Sequence, residues 1–147
     1  MHTQLAVVVE RKGTEVHSVA PTATVLEAVL QMNRERIGAL LVREGGQVVG
    51  IFSERDVLTR VIARDLDPTT TPVTEVMTTS LVTVGPRTTV AEAMAVVTEK
   101  RCRHLPVMEG DRLLGLVSIG DLTRWVTRRQ AWHIEDLVRY ITDVYPA

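Results

Sequence analysis

The chain is poor in cysteine, in aromatic residues and in net charge. Cys102 is the single cysteine among 147 residues, which excludes an intrachain disulfide and any cysteine-rich metal site. One Phe, two Tyr and two Trp give 3% aromatic content, too little for the stacking platforms that hold single-stranded nucleic acid. The formal net charge of −1 provides no basic excess for a duplex. No apolar run approaches the roughly 18 residues of a membrane span, and no charged-then-apolar leader opens the chain. These absences predict a soluble cytoplasmic protein with neither nucleic acid nor membrane as partner. His2, His17, His104 and His133 have no metal-ligand spacing. G-x-G-x-x-G and Walker-type loops are lacking too, so nucleotide hydrolysis has no candidate machinery and no enzyme is expected.

What is present is a short stretch that occurs twice. Gly115-Leu116-Val117-Ser118-Ile119-Gly120-Asp121 follows Gly50-Ile51-Phe52-Ser53-Glu54-Arg55-Asp56 at an offset of 65 residues. The same ungapped offset pairs Val19 with Val84, Pro21 with Pro86, Thr24 with Thr89, Glu27 with Glu92, Leu40 with Leu105, Val42 with Val107 and Gly45 with Gly110. A unit of that length occurring twice argues for two similar halves about a pseudo-two-fold axis, and against a solenoid. In each copy of Ser-x-x-Asp, the Ser caps the first turn of a helix and the Asp answers as the capping-box acid. The same geometry suits a phosphate at the helix start, and the carboxylate can accept from both hydroxyls of a ribose.

Each half reads as β-α-β-β-α. Thr24-Val25-Leu26-Glu27 and Thr89-Val90-Ala91-Glu92 are capping boxes, followed by the stripes Val25, Ala28, Val29, Met32 and Val90, Ala93, Met94, Val97. Near-continuous apolar strands flank Gly-containing turns at 44–47 and 109–112, the pattern of a buried hairpin. Leu5 to Val9 is ambiguous: the β-branched run suggests a strand, and a helix stopped at Gly13 is the alternative. The division expected is 1–64 for an N-terminal segment and the first repeat, 65–79 for a Pro-punctuated linker, and 80–125 for the second repeat. Residues 126–147 form a helical tail with the stripe Ile134, Leu137, Val138, Ile141, Val144.

The paired V-x-P-x-x-T-V-x-E-A starts, the L-x-V hairpins and the two Gly-x-x-Ser-x-x-Asp ends resemble the cystathionine-β-synthase (CBS) domain, found as tandem pairs called Bateman modules. The resemblance covers residues 13–125, and the tail is similar to that of stand-alone bacterial CBS-pair proteins. It implies an α/β fold of two β-α-β-β-α repeats packed with pseudo-two-fold symmetry, plus a C-terminal helical extension. It favours helix for the first segment. It also implies two clefts that bind adenosyl compounds: AMP, ADP, ATP, NAD or S-adenosylmethionine. Carried over to this chain, one cleft takes Ser118, Gly120 and Asp121, completed by His17, Ser18 and Ile37-Gly38-Ala39. The other takes Ser53, Arg55 and Asp56, completed by Val82, Thr83 and Cys102-Arg103-His104. Because Glu54-Arg55 and Ile119-Gly120 differ, the clefts are not expected to be equivalent.

The expected function is therefore a regulatory sensor of adenine nucleotides that forms a homodimer, with the tail in the interface. The alternative is a structural homodimerisation module with empty clefts, where Ser-x-x-Asp only caps helices. Cys102 is most simply a small apolar residue.

Overall fold

The computed structural model describes residues 2–13, 15–128 and 138. The first helix, α1 (Leu5–Lys12), buries Leu5, Val8 and Val9 on one face and stops at Gly13, whose φ of 107° suits glycine. Helix wins over the β-branched propensity because that face has a core to enter. Strand β1 (Ser18–Val19) then pairs in parallel with β2 (Ala39–Glu44), Ser18 opposite Leu41 and Val19 opposite Val42. Between them, α2 (Val25–Glu35) begins at the expected Thr24–Glu27 capping box and buries Val25, Ala28 and Met32. Strand β3 (Gln47–Ser53) returns antiparallel after the Gly45-Gly46 turn, where both glycines have positive φ.

Next, α3 (Glu54–Asp56) starts as an α turn and widens into a π-helical stretch over Val57–Ile62. Ala63 N–H reaching Leu58 O, five residues back, marks that widening. In the second half, α4 (Val90–Lys100) precedes the hairpin of β4 (His104–Glu109) and β5 (Arg112–Ser118), and α5 spans 119–128. The result is a mixed α and β fold with two small sheets, of three and two strands.

The repeat is visible in backbone detail. Both hairpins carry an irregularity at the same register, Val42/Arg43 and Val107/Met108. Both α2 and α4 end on a left-handed arginine, Arg36 at φ 56° and Arg101 at φ 53°. The first strand of the second half is shorter than expected. It is a single parallel bridge, Val84 to Val107, at the position matching Val19 and Val42. That bridge uses the carbonyl of Pro106, which accepts from Val84 N–H at 3.1 Å.

The two cores exchange segments. Leu5, Val8 and Val9 pack with Val90, Ala93, Val97, Leu105, Val107, Val117 and Leu122, which all belong to the second half. Val73 and Val76 from the expected linker pack with Val25, Ala28, Phe52 and Val61 of the first half. Paired glycines make room for both visitors. A Cβ on Gly115 would lie 2.7 Å from Val9 Cγ1, and one on Gly50 would lie 2.5 Å from Met77 Sδ. The expected stripe of Ile134, Leu137, Ile141 and Val144, and a dimer made through it, lie outside the described residues.

Candidate functional site

Both Ser-x-x-Asp sequences form capping boxes. Ser53 N–H donates to Asp56 Oδ2 at 2.9 Å and Asp56 N–H returns to Ser53 Oγ at 3.4 Å. Ser118 N–H donates to Asp121 Oδ2 at 2.8 Å and Asp121 N–H to Ser118 Oγ at 3.1 Å. The first helical N–H of each, on Glu54 and Ile119, donates across the hairpin to Gly38 O and Arg103 O. Each helix start is thereby tied to the loop that opens the hairpin, which closes one side of a cleft.

The other carboxylate oxygens are also engaged. Asp56, 5% exposed, accepts at Oδ1 from Thr78 Oγ1 at 3.1 Å, with Arg60 Nε at 3.6 Å. Asp121 receives Lys12 Nζ on Oδ2 and Arg124 Nη2 on Oδ1, each at 2.6 Å. Lys12 Nζ also donates to Leu116 O at 2.7 Å, so the end of α1 is pinned to β5. Burial by itself raises Asp121, but Lys12 and Ser118 outweigh it and hold the carboxyl below its ordinary range. Each Asp thus meets one group from the visiting segment and one Arg from its own helix.

Two cavities lie between the halves. Cleft A, about 510 Å³, is lined by His17, Ile37, Gly38, Ala39, Ser118 and Asp121, as expected, together with Lys12, Arg36, His104 and Arg124. Cleft B, about 360 Å³, is lined by Ser53, Arg55, Asp56, Val82, Cys102, Arg103 and His104, as expected, together with Thr78, Ser80, Lys100 and Arg101. His104 therefore faces both. Burial first, then the Lys12 and Arg103 charges, lowers the His104 pKa against the pull of Asp121.

Three expected residues do not line either cavity. Ser18 and Thr83 sit one position beyond the lining residues His17 and Val82, and alternation along an extended chain turns them to the other face. Gly120 contributes no side chain to cleft A, whereas its counterpart Arg55 lines cleft B. Cys102 is half-buried, and that burial raises its thiol pKa, away from the thiolate a nucleophile needs. Among the described residues, no cluster of three or more His, Cys, Asp and Glu could hold a metal ion. No helix among them is long and apolar enough to cross a membrane.

The CBS-domain family model matches residues 4–63 and 73–128. A mitochondrial CBS domain-containing protein of Arabidopsis thaliana, CBSX3, is 37% identical over 127 residues, 83% of this chain. The chain spans 62% of that protein's length. CBS domain-containing protein YhcV of Bacillus subtilis is 36% identical over 109 residues, 74% of this chain and 77% of its own. A solved protein with CBS domains from Burkholderia ambifaria aligns with a TM-score of 0.81 at 38% identity, covering 84% of this chain and 93% of that one. Such pairs generally act as regulatory modules and typically bind adenosyl ligands. With two matching segments, an internal offset kept in backbone detail and two clefts between the halves, the chain is a tandem CBS-domain pair and belongs to the CBS-domain family.

Proposed function

We propose that the chain is a regulatory module whose clefts bind adenosyl nucleotides (AMP, ADP, ATP or NAD), without turnover. The observation that carries this is the pair of buried-edge carboxylates, Asp56 and Asp121, each held at the start of a helix on the wall of a cavity. Both cavities fall within the roughly 300–1,000 Å³ of small-molecule sites. A ribose diol reaching Asp121 would take over acceptor positions that Lys12 and Arg124 now fill, and the released cations would then face the phosphate. Occupancy of cleft A would in this way loosen the tie between α1 and β5.

Thermal melting tests the reading. A ligand that binds only the folded state at ~100-fold its Kd adds about 2.7 kcal/mol. AMP, ATP or NAD should raise the melting temperature in a saturable way, and guanine nucleotides should do so less. A melt that none of the adenosyl compounds moves would count against it.

A specific observation also favours association between copies, the structural side of the reading. Leu26, Leu30, Leu58 and Ile62 are 38%, 53%, 65% and 63% exposed. Leu26 and Leu30 lie on α2, and Leu58 and Ile62 on the π-helical stretch after α3. Their counterparts in the second half are Ala91, Ala95, Thr123 and Thr127, small or polar. An apolar face confined to one half supports a homodimer made through α2 and the π-helical stretch that follows α3. Leu58→Glu with Ile62→Glu should shift the protein to monomer in sedimentation velocity. A double variant that sediments like wild type would place the interface elsewhere.

A further inference from the structure

The two clefts are built from equivalent positions, and of four such positions three differ in charge. Around cleft B stand Arg55, Lys100, Arg101 and Arg103. The equivalents on the cleft A side are Gly120, Glu35, Arg36 and Gly38. At these positions four cations stand against one, and Glu35, 3.8 Å from His17 Nε2, lies outside the lining of cleft A. Over the whole lining the excess remains: Arg55, Arg60, Lys100, Arg101 and Arg103 against Glu54 and Asp56 in cleft B, Lys12, Arg36 and Arg124 against Glu15 and Asp121 in cleft A. The other cations of cleft A are committed: Lys12 and Arg124 are both on Asp121 at 2.6 Å. In cleft B Arg60 is likewise drawn to Asp56, at 3.6 Å. Arg55, Lys100, Arg101 and Arg103 have no carboxylate within ion-pair distance among the described residues. Cations gathered at one cavity in excess of its carboxylates, Glu54 and Asp56, repel one another, and an anion of several charges relieves that repulsion while accepting charge-assisted hydrogen bonds.

From this asymmetry we infer that cleft B is the polyphosphate site. It takes a ligand carrying two or more linked phosphates, aligned along Arg55, Lys100, Arg101 and Arg103, while cleft A takes a ligand of lower charge. The inference deepens the nucleotide-binding reading and rests on it for the adenosyl part, but the polyphosphate part stands on the cation cluster alone. Arg101 holds the cluster together geometrically. Its left-handed backbone (φ 53°) ends α4, so Lys100 on the helix and Arg103 before β4 lie on either side of one sharp turn. The side chains are exposed, and their pull on an anion is therefore expected to be sensitive to salt.

The test is a set of titrations with AMP, ATP and inorganic tripolyphosphate. They use the full chain carrying Asp121→Asn to disable cleft A, with and without Lys100→Gln, Arg101→Gln and Arg103→Gln together. These three exposed substitutions remove the charge and keep a polar side chain, and circular dichroism checks that the fold is retained. ATP should bind roughly tenfold to hundredfold tighter than AMP, the range for one or two hydrogen bonds to charged groups. That advantage should shrink to about threefold or less in the triple variant, and fall in both proteins as salt rises from 50 to 500 mM, roughly a Debye length shortened several-fold. Tripolyphosphate should compete with ATP in the first protein and not in the second. AMP binding with no ATP advantage, or an advantage the triple variant keeps, overturns the inference while leaving nucleotide binding intact. Tripolyphosphate binding that the triple variant loses, with no adenosyl compound binding at all, upholds the polyphosphate site and overturns the adenosyl reading.

Discussion

Replacing Leu5 by alanine is expected to destabilise the protein by about 2–5 kcal/mol and to loosen its second half while sparing the first. Leu5 is fully buried, yet its neighbours are Val90, Ala93, Leu105, Val117 and Leu122, more than eighty residues away along the chain. The first turn of α1 is fixed there as well. Leu5 N–H donates to Thr88 O and Ala6 N–H to Pro86 O, while Val90 N–H donates to Thr3 O, at 2.8–3.0 Å. These bonds satisfy amide groups that a helix start leaves without internal partners. Truncating Leu5 leaves a cavity bounded by side chains that already close-pack, so the loss exceeds simple transfer from water.

For a domain of this size the melting temperature should fall by on the order of 10 °C. Hydrogen exchange should quicken across 84–122, and 19–62 should stay protected. Val73→Ala, the matching cut in the other core, should reverse that pattern. If Leu5→Ala left the melt unchanged, or exposed the first half instead, the exchange of segments between cores would be wrong.

Local chemistry explains what could be read from the sequence. The capping boxes at Thr24 and Ser118, the Gly45 and Gly110 turns and the two hairpins are set by residues within a few positions of one another. The offset of 65 residues then doubles every such signal. What could not be read is set at long range. Local pattern leaves Leu5 to Val9 open between strand and helix, and only the resemblance favours helix; Gly115 leaves room beneath Val9 for that helix to dock, a fact about packing that propensity does not contain. The strand before α4 shrinks to one bridge at Val84 because strand length depends on the partner edge.

The site divides in the same way. Ser53, Asp56, Ser118 and Asp121 carry a pattern, and Arg60 and Arg124 stand one helical turn beyond the acids they meet, a spacing that sequence does show. Lys12 and Thr78 reach those acids from 109 and 22 residues away, with no pattern to mark them. Ser18 and Thr83 missed the clefts by one residue, since the face of an extended segment is fixed by its pairing.

Asp56 and Asp121 should each contribute strongly to nucleotide affinity, and their loss is the largest functional effect expected. A carboxylate that accepts from a ribose diol makes hydrogen bonds of the charged class, worth ~1.5–3 kcal/mol, or roughly tenfold to hundredfold in Kd. Asparagine is the appropriate replacement. It keeps an oxygen to accept from Ser53 or Ser118 N–H, whereas alanine would also remove the helix cap and mix stability into the result. In Asp121→Asn the ion pairs with Lys12 and Arg124 weaken, so an unchanged or even looser α1 is compatible with the loss of affinity. In Asp56→Asn the single amide oxygen stays on Ser53 N–H, the amide NH2 faces Thr78, whose hydroxyl can turn to accept from it, and the first-half core is untouched.

The most direct measurement is a calorimetric titration of AMP and of its 2′,3′-dideoxy form into wild type, Asp56→Asn and Asp121→Asn. The account predicts that wild type binds the ribonucleotide roughly tenfold to hundredfold tighter than the dideoxy form. Each variant should lose that preference at one of two sites, and the double variant at both. Equal binding of the two nucleotides by wild type, or affinities that neither substitution changes, would contradict it.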